Sequence, residues 1–171
     1  MKFLDDGILQ LRAVEPSDAD LIWEVESDSS QWQENGMMAP YSRRVIKEYA
    51  EGYDADPIRA GQLRMVAEAD GKPVGLFDLY NISVQNRTAF IGIYIIGESR
   101  GKGFAARGLR LMESYARQLL NLRILAAKVA ETNEASIRLF DAEGYTYCGQ
   151  LRNWLLTGST PLNLRLYEKE L

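Results

Sequence analysis

The chain has 171 residues, of which 46% are hydrophobic and 26% charged, and this composition predicts one globular domain, residues 1–171, with a sizeable core. Lys and Arg total 20 against 24 Asp and Glu, and the net charge of −4 argues against general nucleic-acid binding. The absence of histidine excludes Ser-His-Asp and Cys-His catalytic sites and histidine-ligated zinc, so any proton transfer must use other groups.

The compartment is indicated by the cysteine content and by the lack of long apolar runs. Cys148 is the only cysteine and cannot form an intramolecular disulfide, which favours a reducing compartment. Asp5 and Asp6 interrupt the N-terminal apolar stretch that a signal peptide requires, and the longest apolar run, 89–96, is too short to cross a bilayer. We therefore expect a cytoplasmic protein with no membrane partner and no metal ion.

The first third of the chain predicts one strand and two helices. Residues 8–14 alternate in part, as in a half-buried strand, and Ser17 and Asp20 have capping-box spacing at the start of the first helix. Ser42 is the predicted N-cap of the second helix, whose apolar residues recur at three and four positions. Residues 31–39, between the two helices, are predicted to be a loop.

The rest of the chain predicts strands that alternate with two further helices. Residues 63–69 and 73–80 predict a hairpin about an Asp70-Gly71 turn, and residues 89–96 are apolar on both faces, as in a central strand. The order of all these elements predicts a mixed α/β domain built around one sheet. The two further helices are predicted at 103–120 and 133–144, and the remaining strands at 124–129, 145–151 and 162–167.

The segment 98–105 joins the apolar strand to the first of these two helices and combines glycines with basic residues, Arg100 and Lys102. Glycines let the backbone approach an anion, and the first N–H groups of a helix are unpaired, so the segment predicts a phosphate site. A solvated glycine-rich turn is the alternative. A dinucleotide fingerprint fits the spacing of Gly101, Gly103 and Ala106, but no acid ends the next strand to hold a ribose.

Two motifs resemble those of the GNAT N-acetyltransferase superfamily. Arg100, Gly103 and Ala105 match its acetyl-CoA signature, (Q/R)-x-x-G-x-(G/A). Residues 133–145 resemble its later segment N-x-x-(A/S)-x-x-(L/V)-(Y/F)-x-x-x-G-(F/Y). Residues 74–87 are similar to the spermidine and ribosomal-protein acetyltransferase branches. The resemblance implies an enzyme that uses acetyl-CoA as co-substrate and transfers its acetyl group to a primary amine.

The resemblance also implies a fold and a set of binding residues. The fold is a central, largely antiparallel sheet flanked by helices, with two strands that splay apart at the acetyl-CoA site. The backbone of one splayed strand is expected to bind the pantetheine arm and thioester, the glycine loop the pyrophosphate, and the last helix the other side of the cofactor. The implied residues are Ile93, Tyr94 and Ile95 for the pantetheine arm and thioester; Arg100, Gly101, Lys102, Gly103, Phe104, Ala105 and Ala106 for the pyrophosphate; and Asn133, Ser136 and Phe140 for the other side of the cofactor.

Two positions depart from the pattern of the superfamily. Phe140 stands where many relatives have a tyrosine that protonates the leaving thiolate, and Phe90 stands where relatives often carry a glutamate base; phenylalanine can do neither. Asp78 on the predicted hairpin is therefore a candidate base, acting directly or through water, and Tyr80 is a weaker candidate. Ser136 is a candidate to assist the thiolate. An ordinary strand aspartate and a structural helix serine are the alternatives.

The distribution of charge bears on the acceptor. Residues 15–56 contain eleven acidic and three basic residues, a net charge of −8, so the remaining residues carry +4. An acidic segment beside an anion-binding one suits a cationic acceptor meeting anionic CoA, either a small polyamine-like molecule or a peptidic amine such as a protein N-terminus. Solvated helix surfaces are the alternative. A non-catalytic acyl-CoA-binding regulatory module and a homo-oligomeric state also stay open.

Overall fold

Seven strands form one sheet in the residues that the computed structural model describes, which are 4–28, 39–54 and 56–171. Their order is β1-β2-β3-β4-β5-β7-β6, and every neighbouring pair is antiparallel except β4 and β5. The mixed, largely antiparallel sheet expected from the sequence is thus confirmed. The strands are β1 (Gln10–Ala13), β2 (Leu63–Ala69), β3 (Lys72–Ser83), β4 (Thr88–Ile95), β5 (Ile124–Ala130), β6 (Thr146–Thr157) and β7 (Thr160–Glu170).

The described ranges also contain five α-helices and two short 3-10 turns, at Pro16–Asp18 and Gly97–Ser99. The helices are α1 (Ala19–Ser27), α2 (Arg43–Glu51), α3 (Pro57–Ala60), α4 (Phe104–Gln118) and α5 (Glu134–Ala142). Helix α3 was not predicted, because four residues are too few to show an apolar period. In the part of the chain that the structure describes, no helix is long and apolar enough to cross a membrane.

The capping box predicted at Ser17 and Asp20, before α1, is wrong. Glu15 and Asp18 instead form a capping box at the 3-10 turn Pro16–Asp18, which leads directly into α1, and an oxygen of the Asp18 carboxylate accepts the backbone N–H of Glu15 at 2.8 Å. Pro16 explains the shift, because proline favours the first helical position and the residue before it then becomes the cap.

The predicted cap of α2 and the predicted hairpin both form in the structure. The Ser42 hydroxyl caps α2 by accepting the backbone N–H of Val45 at 3.2 Å, as predicted. The hairpin of β2 and β3 also forms about Asp70 and Gly71. Of the loop predicted at 31–39, residues 31–38 lie outside the described residues.

Helices cover the sheet on both faces. On one face, Leu109 and Met112 of α4 and Phe140 of α5 pack with Phe77 and Ile91 of the sheet. On the other face, α1 and α2 pack with residues of β2 and β3 and form a smaller hydrophobic cluster. The buried residues of this cluster are Val14, Ile22, Ile46, Ala50, Val66 and Leu76. The even-numbered side chains of β3 between Leu76 and Tyr80 therefore face the side of the sheet that α1 and α2 cover in part.

Helix α4 approaches the sheet closely at Gly108. An ideal Cβ on Gly108 would overlap the ring of Phe77, which is itself fully buried, so only glycine fits between this helix turn and β3. The interior of α4 can therefore approach β3 closely enough to bring the start of the helix beside β4.

We expect Gly108→Ala to destabilise the protein. Overpacking costs about 1 to 3 kcal/mol, whereas replacing glycine by alanine in a helix contributes only about 1 kcal/mol of propensity, so the free energy of unfolding should fall. Urea denaturation measures the change. Gly97→Ala is the matched control, since an added Cβ there meets nothing within 4 Å, and it should leave the free energy of unfolding nearly unchanged. Equal stability of Gly108→Ala and the wild type would contradict the packing described here.

Candidate functional site

The site is created where β4 and β5 separate. These parallel strands pair only at Thr88–Ile124, Ala89–Leu125 and Phe90–Ala126. Beyond Phe90, β4 continues along β3 to Ile95, whereas β5 continues along β7 to Ala130. The splayed strands expected from the sequence are confirmed, and a cleft of about 1460 Å³ extends from the gap.

Backbone groups on β4 face this gap without a strand partner. The N–H of Ile96 donates to the carbonyl of Val74 on the β3 side, at 3.0 Å. Because the backbone groups of successive strand residues point to opposite edges, those of Ile93 and Ile95 face the gap and those of Tyr94 face β3. The carbonyl of Ile95 accepts the Nε–H of Arg100 at 3.0 Å, which ties the following loop to the strand end. Tyr94 can therefore reach a ligand in the gap only with its side chain.

The loop after β4 leaves helix α4 without a side-chain cap. Gly103 is the N-cap residue, with a φ of 81°, and it has no side chain to accept the first helical N–H groups. The first helical hydrogen bond is donated by Arg107 to Gly103, so the N–H groups of residues 104–106 have no partner within the helix. An added Cβ on Gly101 or Gly103 would meet nothing within 4 Å. The arrangement is an open anion site at the start of a 15-residue helix.

The sequence-predicted binding residues mostly meet in this cleft. All of those named by the resemblance line it except Lys102, which is exposed and is not among the lining residues. On the α5 side, Asn133 caps the helix by accepting the N–H of Ser136 at 3.2 Å, and Ser136 is half-buried. Phe140 is 5% exposed and its ring contacts those of Tyr145 and Tyr167.

A charged cluster lies at the other end of the cleft, on β2 and β3. Arg64 donates from Nε and Nη2 to the two carboxylate oxygens of Asp78, at 2.8 and 2.7 Å, and from Nη1 to Glu26 at 2.7 Å. Burial opposes the charge on Arg64, but Asp78 and Glu26 outweigh it and hold its pKa above the usual value. The sequence indicates Asp78 as a candidate but gives no signal for Arg64 or Glu26, because the contacts that orient the carboxylate join residues distant in the chain.

Tyrosines surround this cluster. The hydroxyl of Tyr53 donates to the Arg64 carbonyl at 2.9 Å and accepts the Arg64 N–H, so it fixes the start of β2. Burial raises the pKa of Tyr49 to about 12 and also raises the pKa of Tyr80. Both phenols are therefore protonated at neutral pH and can donate a hydrogen bond, but they are poor proton acceptors there. This weakens Tyr80 as a candidate base.

Comparisons with known proteins agree with this geometry. The model of a family described as the acetyltransferase (GNAT) domain matches residues 9–146. The spermidine N(1)-acetyltransferase of Escherichia coli (strain K12) is 31% identical over 146 residues, which are 84% of this chain and 75% of that protein. The proposed ribosomal N-acetyltransferase YdaF of Bacillus subtilis (strain 168) is 29% identical over 168 residues, 93% of this chain and 89% of that protein. The dodecameric structure of spermidine N-acetyltransferase from Vibrio cholerae superposes with a TM-score of 0.79 at 26% identity, over 96% of this chain and 95% of that one.

Proposed function

Because the chain belongs to the GNAT acetyltransferase family, and is an acetyl-CoA-dependent N-acetyltransferase, we propose that its acceptor is the primary amine of a small cationic or peptidic molecule. One observation carries the proposal: at the far end of the cleft, Arg64 binds both Asp78 and Glu26, and tyrosine side chains surround them. The two carboxylates at this end of the cleft suit an ammonium group. The N-acetyltransferase relatives disfavour a non-catalytic regulatory module.

The residues of the cleft fit acetyl-CoA. The gap-facing backbone groups of Ile93 and Ile95 suit the amides of a pantetheine arm, and the unpaired N–H groups at 104–106 suit a pyrophosphate. Arg100 adds a positive charge beside these amides, while Asn133, Ser136 and Phe140 form the opposite wall. When bound, acetyl-CoA supplies an activated thioester carbonyl to this cleft.

The chain must also take a proton from the acceptor. An amine with a pKa near 10.4 is neutral in only about one molecule in 2,500 at pH 7. We assign the proton transfer to Asp78, directly or through water. Arg64 occupies two of the roughly four lone-pair positions of a carboxylate, so it orients Asp78 and leaves it able to accept a further hydrogen bond. Ser136, at the start of α5, is assigned to the leaving thiolate.

The names of the relatives support a class of acceptor and a homo-oligomeric state. Two of them are named for spermidine and one for a ribosomal substrate, which fits a polyamine-like molecule or a protein N-terminus as acceptor. One solved relative is dodecameric, and we propose that this chain also forms a homo-oligomer. The single, unpaired Cys148 supports a reducing, cytoplasmic setting.

A salt series with a panel of acceptors tests the acceptor class. We expect kcat/KM for cationic amines to fall as salt rises, mainly through KM, because exposed charges of the 15–56 segment attract the acceptor over only about 8 Å at physiological salt. Acetyl-CoA is kept saturating, so that its phosphate contacts do not contribute to the salt effect. A flat salt response, or a preference for neutral or anionic acceptors, would contradict a cationic acceptor.

Phe140 should contribute by packing beside the thioester. We expect Phe140→Leu to lower kcat by less than about tenfold, because no proton transfer is lost, and to weaken acetyl-CoA binding slightly. Steady-state kinetics and calorimetry measure the two effects. If both quantities stayed at the wild-type values, Phe140 would not contact the cofactor. A large gain in kcat from Phe140→Tyr would instead show that the natural site lacks an acid.

A further inference from the structure

Lys128 on β5 places a positive charge inside the cleft. Its side chain is exposed and lines the gap between the splayed strands. Its Nζ lies 4.6 Å from the ring centroid of Phe90 and 6.0 Å from that of Tyr80, and these two rings stack on one another at 5.5 Å. Cation–π attraction therefore holds the ammonium against the floor of the cleft.

The position of Phe90 places the Lys128 ammonium at the acceptor end of the cleft, near Asp78. Phe90 is the last residue of β4 that pairs with β5, and it lies five residues before Ile95, or about 17 Å along an extended strand. The helix start that suits phosphate lies beyond Ile95. Phe90 instead pairs with Tyr80, two residues along β3 from Asp78. The ammonium of Lys128 is thus close to the acceptor end and far from the phosphate end.

Among the described residues, three other cations line the cleft, and one of them, Arg100, donates to the carbonyl of Ile95 at the phosphate end. Arg64 pairs with Asp78 and Glu26, and Arg138 pairs with Glu134. None of the ion pairs found within 4–28, 39–54 and 56–171 includes Lys128. A positive charge at the acceptor end of the cleft repels an acceptor that carries only ammonium groups. It attracts an acceptor that carries an anion as well as an amine.

We propose that Lys128 determines specificity by binding a carboxylate of the acceptor, which is then a cationic amino acid rather than a bare polyamine. The inference rests on the proposed function and narrows it. The ammonium of the acceptor faces Asp78 and Glu26, and its carboxylate faces the Nζ of Lys128. The acidic segment and Lys128 then act on different groups of one molecule, which explains why both charges are present at this end of the cleft.

Matched acceptors isolate the carboxylate. L-lysine and cadaverine differ only in that cadaverine lacks the carboxylate, and L-ornithine and putrescine form a second such pair. We expect the wild type to prefer each amino acid over its diamine. Lys128→Gln should lower kcat/KM for L-lysine by about tenfold, mainly through KM, because one charge-assisted hydrogen bond is lost. The same variant should leave cadaverine within about twofold of wild type or improve it. Lys128→Arg should restore most of the activity with L-lysine.

Controls separate the alternatives. Lys72→Gln removes a positive charge from the exposed start of β3, outside the cleft. It should not change the preference for L-lysine over cadaverine or for L-ornithine over putrescine. Equal effects of Lys128→Gln on L-lysine and cadaverine, or a weakened affinity for acetyl-CoA, would overturn the proposal. Acetylation of cadaverine with none of L-lysine would overturn it while leaving the proposed function in place. Binding of acetyl-CoA with no acetylation of any amine would overturn both.

Discussion

Gly103→Asp should abolish measurable acetyl-CoA binding while the protein stays folded. The introduced carboxylate would lie beside the N–H groups at 104–106 and would compete with phosphate for these donors. It would also repel the pyrophosphate. Hydrogen bonds to a charged group contribute about 1.5 to 3 kcal/mol each, so losing two of them weakens binding by at least about 100-fold. Titration calorimetry measures this directly.

Two variants separate charge from backbone strain in this experiment. Gly103→Ala adds a Cβ at the same positive φ without a charge, and it should weaken binding far less than Gly103→Asp. Gly158→Asp adds the same side chain at a turn between β6 and β7, where φ is 61° and nothing lies within 4 Å of the added Cβ. It should bind acetyl-CoA as the wild type does. Wild-type affinity in Gly103→Asp would place the phosphates elsewhere.

Asp78→Asn should lower kcat by about 100-fold or more, because general base catalysis typically contributes about 10² to 10⁴ in rate. The amide cannot accept the proton, yet its oxygen can still accept a hydrogen bond from Arg64, so the fold should persist. The affinity for acetyl-CoA should not change. Steady-state kinetics with saturating acetyl-CoA and the best acceptor give kcat.

Glu26→Gln is the matched control, since it removes the other carboxylate that Arg64 binds. If Asp78 accepts the proton, the two variants should differ in kcat by a large factor while their free energies of unfolding fall by similar amounts. If Asp78 only partners Arg64, both variants should lose stability to a similar extent and keep similar kcat values. That second result would remove Asp78 from the mechanism.

The local structure of the proposed cofactor half can be predicted from the sequence, because local chemistry determines it. The apolar run before a glycine loop predicts a central strand leading into a helix, and the structure places β4, Gly103 and α4 in that order. Asn133 caps α5 as its position in the motif predicts. These features depend on neighbouring residues, so they can be identified without knowing the tertiary structure.

The acceptor half depends on long-range register, which the sequence does not show. Counting back from the Asp70-Gly71 turn places Arg64 opposite Phe77, with its side chain on the other face from Asp78. The structure pairs Arg64 with Asp78 because a bulge at Ala67/Glu68 shifts the register by one residue. Lys128 is similarly unremarkable in sequence, since the long-range pairing of Phe90 with Ala126, two residues before Lys128, brings its amine near the Phe90 ring.

The proposed reaction is acetyl transfer from acetyl-CoA to an amine in the cleft between β4 and β5. The most direct measurement follows CoA thiol release and the mass of the acceptor in the same reaction, with the wild type and with Gly103→Asp. We expect thiol release that requires an amine, an equal amount of acetylated product, and neither with the variant. Saturable binding of acetyl-CoA by the wild type with no acetylated product from any amine would contradict acetyl transfer in this cleft.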